Sequence, residues 1–412
     1  MINITRLWCG AEQPADHIRY GLGHGSAAPH ASTAACSPTS SRTRKPIVVW
    51  NITRTCNLRC VHCYADSHAQ KYPGELSLEQ CRAVIDDLAD YKVNALLLSG
   101  GEPLLHPHLP ELLRYATKSG LKVTISTNGT RITPEYAAMF KKLGVAYVGI
   151  SLDGIGAVHD SFRGVEGAFD GAIRGFKRCE EVGQKTGLRL TLTRNNVQSM
   201  EEILNFIENE GIQRVCFYHL VPTGRGVDVA SLKPEEARAA LDMLIARAEA
   251  WHAAGQTREL LTVTQPADGI YILLRQLREG SPLAAQTLKL LSWNGGGANS
   301  SGRGIANIDT QGNIHPDQFW QSVTLGNVKT QKFSDVWEAS AEPSAAELQK
   351  LRGSENPLER QKLLSGPCAT CKHFALCGGG FRTRAAFANG HWFGSDPGCY
   401  LTEEERQTEI KL

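Results

Sequence analysis

Between residues 46 and 221, short apolar segments alternate with amphipathic ones. PIVVWNIT (46–53) is apolar and rich in branched side chains, which is typical of a strand buried on both faces. SLEQCRAVIDDLADY (77–91) places its apolar residues at helical spacing, with Ser77 as its N-cap. The pattern predicts six strands, within residues 46–53, 94–103, 121–130, 146–154, 187–196 and 213–221. The helices that separate them are predicted within residues 77–91, 109–119, 134–144, 168–183 and 199–210.

Six strand–helix units with strands of the parallel type predict an α/β fold. They fit a partial (β/α)6 TIM-type barrel, an incomplete form of the eightfold barrel. A doubly wound sheet is the alternative. In both architectures the chemistry is found where the strands end, because the carboxyl ends of parallel strands meet at one end of the sheet.

Polar and glycine-rich sequences follow the predicted strands, so we expect their loops to face one another. These sequences are TCNLRCVHCY (55–64), SGGEP (99–103), STNG (126–129), SLDG (151–154), TRNN (193–196) and YHLVPTGRG (218–226).

The rest of the chain divides by composition. Residues 1–45 are expected to be an N-terminal segment that ends in a flexible linker at 21–45, which is rich in Gly, Ala and Ser. The barrel is expected at 46–225 and a helical connection at 226–300, with helices throughout 233–292. Residues 301–412 are expected to form a loop-rich C-terminal domain, which begins with a hairpin at 304–317.

Composition narrows the possible classes of function. The formal net charge is +2, which indicates neither nucleic acid nor an anionic membrane as a partner. No apolar run is long enough to span a bilayer, and the N-terminus lacks the layout of a secretory signal, so we expect a cytoplasmic protein. In such a chain the 12 cysteines indicate metal or redox chemistry, and seven of them fall into two groups.

The first group has the spacing C-x3-C-x2-C at Cys56, Cys60 and Cys63. Three thiolates are one short of the four that zinc or a complete iron–sulfur cluster takes. His62 could complete a zinc site, which is the alternative. A [4Fe–4S] cluster with one open iron fits the three cysteines better, and an open iron can bind a small molecule.

This motif, followed by Tyr64 at the end of the first predicted strand, resembles that of the radical S-adenosylmethionine (SAM) enzymes. The resemblance implies that the open iron binds SAM, which is cleaved to a 5′-deoxyadenosyl radical that abstracts hydrogen from the substrate. SGGEP and the later loops stand where the family contacts SAM. The SAM-binding residues implied in this way are Gly100, Gly101, Glu102, Ser126, Asn128, Ser151, Asp153 and Arg163.

The second group, Cys368, Cys371, Cys377 and Cys399, has the spacing C-x2-C-x5-C-x21-C. Four thiolates suffice for zinc or for a complete [4Fe–4S] cluster. Beside a radical SAM barrel, the group resembles the SPASM and twitch extensions, which implies an auxiliary [4Fe–4S] cluster and two clusters in all. The full SPASM pattern has a further cysteine after the hairpin, where this chain offers His315 and Asp317. We therefore expect one auxiliary cluster, acting as an electron relay, with His315 as an alternative extra ligand.

Most of the chain is similar to a narrower group of radical SAM enzymes that remove side chains from modified sirohaem. One branch removes the acetates of 12,18-didecarboxysirohaem to give iron-coproporphyrin III, and another removes propionates on the way to haem d1. The chain could instead be a SPASM peptide maturase, or a non-catalytic iron–sulfur or zinc protein. The stretches that carry the resemblance include VVWNITRTCNLRCVHCYAD, YVGISLDG, CFYHLVPTGRG, NSSGRGIANIDTQGNIHPDQFW and CGGGFRTRA.

An iron tetrapyrrole is a flat polyanion, so its site needs carboxylate donors and groups near the reacting side chain. Tyr218 and His219 end the sixth predicted strand and are candidates for a catalytic or iron-ligating role. The resemblance also implies a low-potential electron donor of the ferredoxin or flavodoxin type. The candidate carboxylate-binding residues are Arg194, Arg225, Arg303, Arg382 and Arg384, each of which could instead be a solvated surface arginine. The residues that could close over the substrate are His315, Asp317 and Gln318.

Overall fold

The computed structural model describes residues 1–20, 45–294, 301–338, 346, 349–350, 352–353 and 356–410. The chain divides into two compact units. We call Lys45–Leu232 with Ser300–Gly353 the barrel unit, and Met1–Arg44 with Lys233–Asn299 and Ser354–Leu412 the second unit. Residues 21–44 of the expected linker lie outside the described residues. Among the described residues, none of the helices has the length and apolar character needed to cross a membrane.

Strands and helices alternate as the pattern predicts. The described strands are β1 (Ile2–Asn3), β2 (Ile47–Thr53), β3 (Ala95–Gly100), β4 (Val123–Thr127), β5 (Tyr147–Ser151), β6 (Thr186–Leu192), β7 (Arg214–His219), β8 (Glu259–Val263), β9 (Ile305–Ile308), β10 (Asn313–His315) and β11 (Gly326–Asn327). The described α-helices are Ile4–Cys9, Asp16–Tyr20, Leu78–Asp90, Leu109–Lys118, Pro134–Lys142, Ala157–Arg163, Ala168–Glu181, Met200–Asn209, Pro234–Ala253, Ala267–Arg278, Ala284–Asn294, Phe333–Glu338, Pro357–Gln361, Phe374–Cys377, Arg382–Asn389 and Glu403–Gln407.

The sheet of the barrel unit confirms the predicted fold class. Strands β2 to β7 lie side by side in sequence order and are all parallel. A doubly wound sheet would reverse its strand order at a switch point, and no reversal occurs between β2 and β7. On the other side of β2, the sheet continues through β9, β10 and β11. The barrel unit is therefore a partial TIM-type barrel extended by a hairpin.

The two faces of the parallel sheet differ in chemistry because side chains alternate along each strand. One face is apolar and buried, as along Leu188, Leu190 and Leu192 of β6. The opposite face carries hydroxyl, guanidinium and phenol groups, and the register aligns them from strand to strand. We call it the polar face and define it by the half-buried residues Ser126, Ser151, Arg189, Thr191 and Tyr218.

The hairpin lies where the sequence predicts it, with Gly312 in its turn at a φ of +88°. Its first strand, β9, pairs in parallel with β2, so that Val49 is opposite Asn307. This pairing places residues 300–353 in the barrel unit. The expected C-terminal domain, 301–412, is thus divided between the two units, because a parallel partner strand can come from any distance along the chain.

The expectation of helices throughout 233–292 is wrong for β8. The run ELLTV (259–263) pairs antiparallel with β1, with Ile2 opposite Thr262. A short buried apolar run fits a strand and a helix equally well by periodicity, and here the backbone partner lies near the start of the chain. Thr5 Oγ1 extends the pairing, because it donates to the carbonyl of Arg258 at 2.7 Å.

Candidate functional site

Cys56, Cys60 and Cys63 lie in the loop that follows β2. The first two are buried, the third is half-buried, and they pack with Leu58. Each sulfur faces an N–H donor: Leu58 N is 3.4 Å from Cys56 Sγ, Arg163 Nη1 is 3.4 Å from Cys60 Sγ, and Ser67 N is 3.5 Å from Cys63 Sγ. Hydrogen bonds to sulfur are a means by which proteins tune iron–sulfur clusters. The three thiols fit the expected ligand set.

Burial also determines the protonation of these thiols. It raises the pKa of Cys56 to about 12, with the nearby Glu102 adding to the shift, and it raises the pKa of Cys60 as well. At neutral pH such thiols stay protonated unless a cation replaces the proton. Cys179, which lies outside both cysteine groups, has the same raised pKa of about 12, so the shift reflects burial of the thiol.

The glycine pair of SGGEP packs against the cysteine loop itself. Gly100 has a φ of +136°, and a Cβ there would lie 2.2 Å from the carbonyl oxygen of Thr53. A Cβ on Gly101 would lie 2.4 Å from that of Thr55. The amides of Gly101 and Glu102 donate to these two carbonyls at 2.6 and 2.9 Å. The glycines thus allow two loop backbones to come into contact. This structural role is additional to the SAM contact that the resemblance implies for them.

Glu102 is fully buried and joins the ends of β3 and β4. Its Oε1 accepts from Leu104 N at 3.1 Å and from Thr127 Oγ1 at 2.7 Å, and its Oε2 accepts from Asn128 N at 2.8 Å. Burial raises the pKa of Glu102 although these bonds oppose the shift. Its expected contact with the SAM ammonium stays a prediction.

Asp153 and Arg163 form a buried ion pair behind the cysteine loop. Asp153 Oδ1 also accepts from Thr191 N at 2.8 Å. Burial opposes ionisation of Asp153, but Arg163 and other neighbours lower its pKa below the ordinary value. Because the same guanidinium donates to Cys60 Sγ, Asp153 holds Arg163 against the first cysteine group.

His62 packs on Phe162, with 4.7 Å between ring centroids, and burial lowers its pKa to about 4. Its Nε2 lies 3.8 Å from Asp153 Oδ2. Among the described residues, no three His, Cys, Asp or Glu side chains converge closely enough to hold a single metal ion. A zinc role for His62 thus has no support in this geometry.

The other expected SAM-binding residues lie around these groups. Asn128 Nδ2 is 4.0 Å from Cys56 Sγ and donates to Asn57 Oδ1 at 3.0 Å. On the polar face, Ser126 Oγ accepts from Arg189 Nη1 at 3.0 Å. Ser151 makes no side-chain hydrogen bond with the described residues, so its hydroxyl is available. Their contacts with SAM remain predictions.

Arg225 belongs to the support of the cysteine loop. Its amide donates to the carbonyl of Cys63 at 3.0 Å, its Nε to the carbonyl of Cys60 at 2.9 Å, and its Nη1 to Asp66 Oδ1 at 2.7 Å. A Cβ on Gly224 would lie 2.4 Å from the carbonyl oxygen of Cys63. Arg225 therefore supports the cysteine loop, and its expected contact with a substrate carboxylate stays a prediction.

Tyr218 and His219 occupy opposite faces of β7. Tyr218 is half-buried on the polar face, whereas His219 is 7% exposed on the face that carries Val215 and Phe217. The polar face also carries Arg189, which sequence did not single out. In the sequence of β6, Arg189 alternates with Leu188 and Leu190, and this alternation could have indicated that its side chain lies on the face opposite the leucines.

The four cysteines of the second group line one cavity of about 230 Å³. Burial raises the pKa of Cys377 well above its usual range, and the neighbouring thiols of Cys399 and Cys368 add to the shift. Cys368 is buried and the other three are half-buried. Four thiols around one space match the expected ligand set of the auxiliary site.

Arg382 and Arg384 hold the loops of this cavity together. The Arg384 guanidinium donates two hydrogen bonds to the buried carboxylate of Asp396, from Nε to Oδ1 at 2.6 Å and from Nη2 to Oδ2 at 2.8 Å. Asp396 Oδ2 also accepts from Phe381 N at 2.6 Å. Arg382 Nη1 donates to the carbonyls of Trp392 and Gly394 at 2.7 and 2.9 Å. Both arginines therefore stabilise the loops of this cavity, and their expected contact with the substrate stays a prediction.

The residues after the hairpin are also engaged. His315 is 2% exposed, and its ring nitrogens pair with the carbonyl of Val323 at 2.7 Å and with Asp309 Oδ2 at 3.4 Å. This occupancy argues against His315 as an extra cluster ligand. Asp317 accepts from Phe319 N at 2.7 Å and from the Ser301 hydroxyl.

The remaining residues of the barrel unit that sequence indicates for substrate contact differ in exposure. Gln318 Oε1 is buried and has no partner among the described residues. Arg194 is exposed and Arg303 is buried.

Comparisons with known proteins agree with this geometry. The family model "Radical SAM superfamily" matches residues 50–207. The chain is 42% identical to Fe-coproporphyrin III synthase of Methanosarcina barkeri over 98% of both chains. It is 41% identical to pre-heme d1 synthase of Dinoroseobacter shibae over 90% of both. The solved structure of anSMEcpe with bound AdoMet and the Cp18Cys peptide matches with a TM-score of 0.65 at 18% identity, over 88% of this chain and 95% of that one, which shows a shared fold.

A radical SAM domain uses SAM and a [4Fe–4S] cluster, and Cys56, Cys60 and Cys63 lie within the matched region. The three clustered thiols fit the cysteine ligands of such a cluster, and the two relatives are matched over at least 90% of their length, so both observations lead to the same assignment. The chain therefore belongs to the radical SAM superfamily, in the haem-biosynthesis group of Fe-coproporphyrin III synthase and pre-heme d1 synthase.

Proposed function

We propose that the chain removes the acetate side chains of 12,18-didecarboxysirohaem to give iron-coproporphyrin III. The observation that carries this proposal is the 42% identity to Fe-coproporphyrin III synthase over 98% of both chains. Identity at that coverage includes the barrel and the cysteine-rich C-terminal region, so it favours a shared substrate class as well as a shared radical step.

Different residues of the chain hold the cluster and position the loop that carries it. When bound, the cluster supplies the electron that cleaves SAM, and SAM supplies the radical that abstracts hydrogen. Cys56, Cys60 and Cys63 hold the cluster, while Arg163 donates to Cys60 Sγ and is itself held by Asp153. Loops from β3, β5 and β7 fix the position of the cysteine loop, which positions the SAM site relative to the polar face.

The second part of the proposal is an auxiliary [4Fe–4S] cluster on Cys368, Cys371, Cys377 and Cys399. Their shared cavity supports it. Because the protein supplies all four ligands, this cluster has no open iron for the substrate and acts as an electron relay. A ferredoxin- or flavodoxin-type donor and a cytoplasmic location complete the proposal and stay predictions from sequence.

Removal of propionates on the way to haem d1 is the second candidate. The 41% identity to pre-heme d1 synthase over 90% of both chains favours it. The two candidates share the cofactor and the tetrapyrrole and differ in the side chain that is lost, so only the product separates them.

The test is mass spectrometry of the tetrapyrrole after anaerobic incubation of the reconstituted protein with SAM, a reductant and 12,18-didecarboxysirohaem. The proposal predicts iron-coproporphyrin III, formed together with 5′-deoxyadenosine and methionine. Loss of propionate would select the haem d1 candidate. An unchanged tetrapyrrole mass beside abundant deoxyadenosine would contradict both and would leave the peptide maturase hypothesis to be tested.

Metal analysis of the anaerobically purified protein tests the cluster assignment. Two [4Fe–4S] clusters give about eight irons per chain and one gives about four. Zinc without iron would contradict the radical mechanism altogether and would support a non-catalytic zinc protein.

A further inference from the structure

Arg189 lies in the middle of β6 on the polar face. Its side chain crosses the neighbouring strand at Gly149, where a Cβ would lie only 2.2 Å from Arg189 Nε. The absence of a side chain at position 149 therefore makes room for the guanidinium. Arg189 Nη1 reaches the strand beyond and donates to Ser126 Oγ at 3.0 Å.

Arg189 has no carboxylate partner among the described residues, in contrast to other arginines of the barrel unit. Arg163 pairs with Asp153, and Arg225 pairs with Asp66. Within the described chain, neither Nε nor Nη2 of Arg189 has a hydrogen-bond partner, and Nε is buried. A half-buried charge without a counter-ion is costly unless a ligand supplies one.

Phenol groups complete the surroundings of Arg189. Its guanidinium lies 5.8 Å from the ring centroid of Tyr147. Burial raises the pKa of Tyr218, and the positive charge of Arg189 opposes that shift. Tyr64 OH donates to Asn51 Oδ1 at 3.0 Å, which places this phenol beside the strand ends. Phenol groups are neutral at physiological pH, so these tyrosines leave the positive charge of Arg189 uncompensated.

We propose that Arg189 binds a carboxylate of the substrate. This inference rests on the proposed function, because a tetrapyrrole substrate carries several carboxylates. Nε and Nη2 form the edge at which a guanidinium binds both oxygens of a carboxylate, while Nη1 stays on Ser126. The other source of a carboxylate is SAM. Arg163 is the residue that resemblance assigns to that group, and it lies against Cys60.

The test compares Arg189→Gln and Arg189→Lys with the wild type and with Arg114→Gln, a matched control at an exposed position on helix Leu109–Lys118. Binding of 12,18-didecarboxysirohaem is followed by its absorption spectrum, and SAM affinity is measured separately, so that neither depends on turnover. We expect Arg189→Gln to weaken tetrapyrrole binding about tenfold or more while SAM affinity changes less than about twofold. Lysine keeps the charge without the two-pronged geometry and should restore part of the affinity.

A second variant tests the same site with Arg189 retained. Gly149→Ala places a methyl group against Nε and displaces the guanidinium, so it should also weaken tetrapyrrole binding. Iron content and melting temperature check that each variant folds.

Unchanged tetrapyrrole affinity in both Arg189→Gln and Gly149→Ala would overturn the inference. A loss of SAM affinity with tetrapyrrole binding intact would also overturn it, because the carboxylate would then be that of SAM. If the wild type itself does not bind the tetrapyrrole, the proposed function fails together with the inference. If the wild type binds but forms a different product, only the proposed reaction fails and the binding comparison still decides the role of Arg189.

Discussion

The two cysteine groups differ in how the chain holds them. Cys56, Cys60 and Cys63 lie on one loop whose sulfurs each accept an N–H donor, and neighbouring loops pack against its backbone. The four cysteines of the second group surround a single cavity in the second unit. Three protein ligands leave one iron of a cubane cluster open, and four leave none. The number of thiols and their setting therefore agree with SAM binding at the first group and with the proposed electron relay at the second.

The largest expected effect comes from removing one ligand from each group. Cys60→Ala should abolish the formation of 5′-deoxyadenosine, because SAM loses its cluster. Cys371→Ala should keep SAM cleavage and lose tetrapyrrole product. Cys179→Ala, at a buried cysteine outside both groups, is the control and should retain both activities. Liquid chromatography of both products measures the effects, and equal loss of deoxyadenosine in Cys60→Ala and Cys371→Ala would remove the distinction between the groups.

Asp396→Asn tests whether the ion pair with Arg384 supports the second cysteine group. It leaves the buried guanidinium of Arg384 without its carboxylate, and breaking such a pair costs about 3–5 kcal/mol. We expect a lower melting temperature and loss of about four irons per chain, with SAM cleavage preserved. The control is Glu404→Gln, at an exposed position of the same unit. Full iron content in Asp396→Asn would show that the cavity does not depend on this pair.

Asp153→Asn tests the corresponding support of the first group. Without its carboxylate, Arg163 loses the partner that holds it against Cys60 Sγ. Loss of such outer partners costs about 10- to 100-fold in metal affinity or activity. The rate of SAM cleavage should fall by this factor, whereas Asp170→Asn, at an exposed position on helix Ala168–Glu181, should not change it. A wild-type rate in Asp153→Asn would contradict the positioning role.

Gly101→Ala is the smallest of the four perturbations. The added methyl group would lie 2.4 Å from the carbonyl oxygen of Thr55, so one of the two loops must move. Crowding of this kind costs about 1–3 kcal/mol. Thermal unfolding measures the loss, and Gly304→Ala, with no atom within 4 Å of its added Cβ, is the matched control. Equal melting temperatures for Gly101→Ala and Gly304→Ala would show that the close contact between Gly101 and Thr55 does not contribute to stability.

The predicted parallel strands were recovered because each is a short buried run followed by a turn, and that signal is local. The pairing of β1 with β8 and of β2 with β9 was not predicted, because each joins residues that lie far apart along the chain. Periodicity within a window carries no information about a distant partner. For the same reason, the sequence did not predict that residues 301–412 are divided between the two units.

The cysteine groups could also be predicted, since their spacing is itself the signal. The roles of individual arginines could not. Sequence places Arg225 and Arg384 near the expected loops, but only the structure shows Asp66 and Asp396 beside them. Conversely, Arg189 becomes notable only because the structure shows its side chain crossing Gly149 and reaching Ser126.

Electron paramagnetic resonance of the reduced, reconstituted protein, recorded with and without SAM, tests the contrast between the two groups most directly. We expect signals from two reduced [4Fe–4S] clusters, and SAM should shift the signal of one of them. That shift should be absent in Cys60→Ala and present in Cys371→Ala. A spectrum that SAM leaves unchanged in the wild type, or a shift that survives in Cys60→Ala, would contradict the assignment of SAM to the first group.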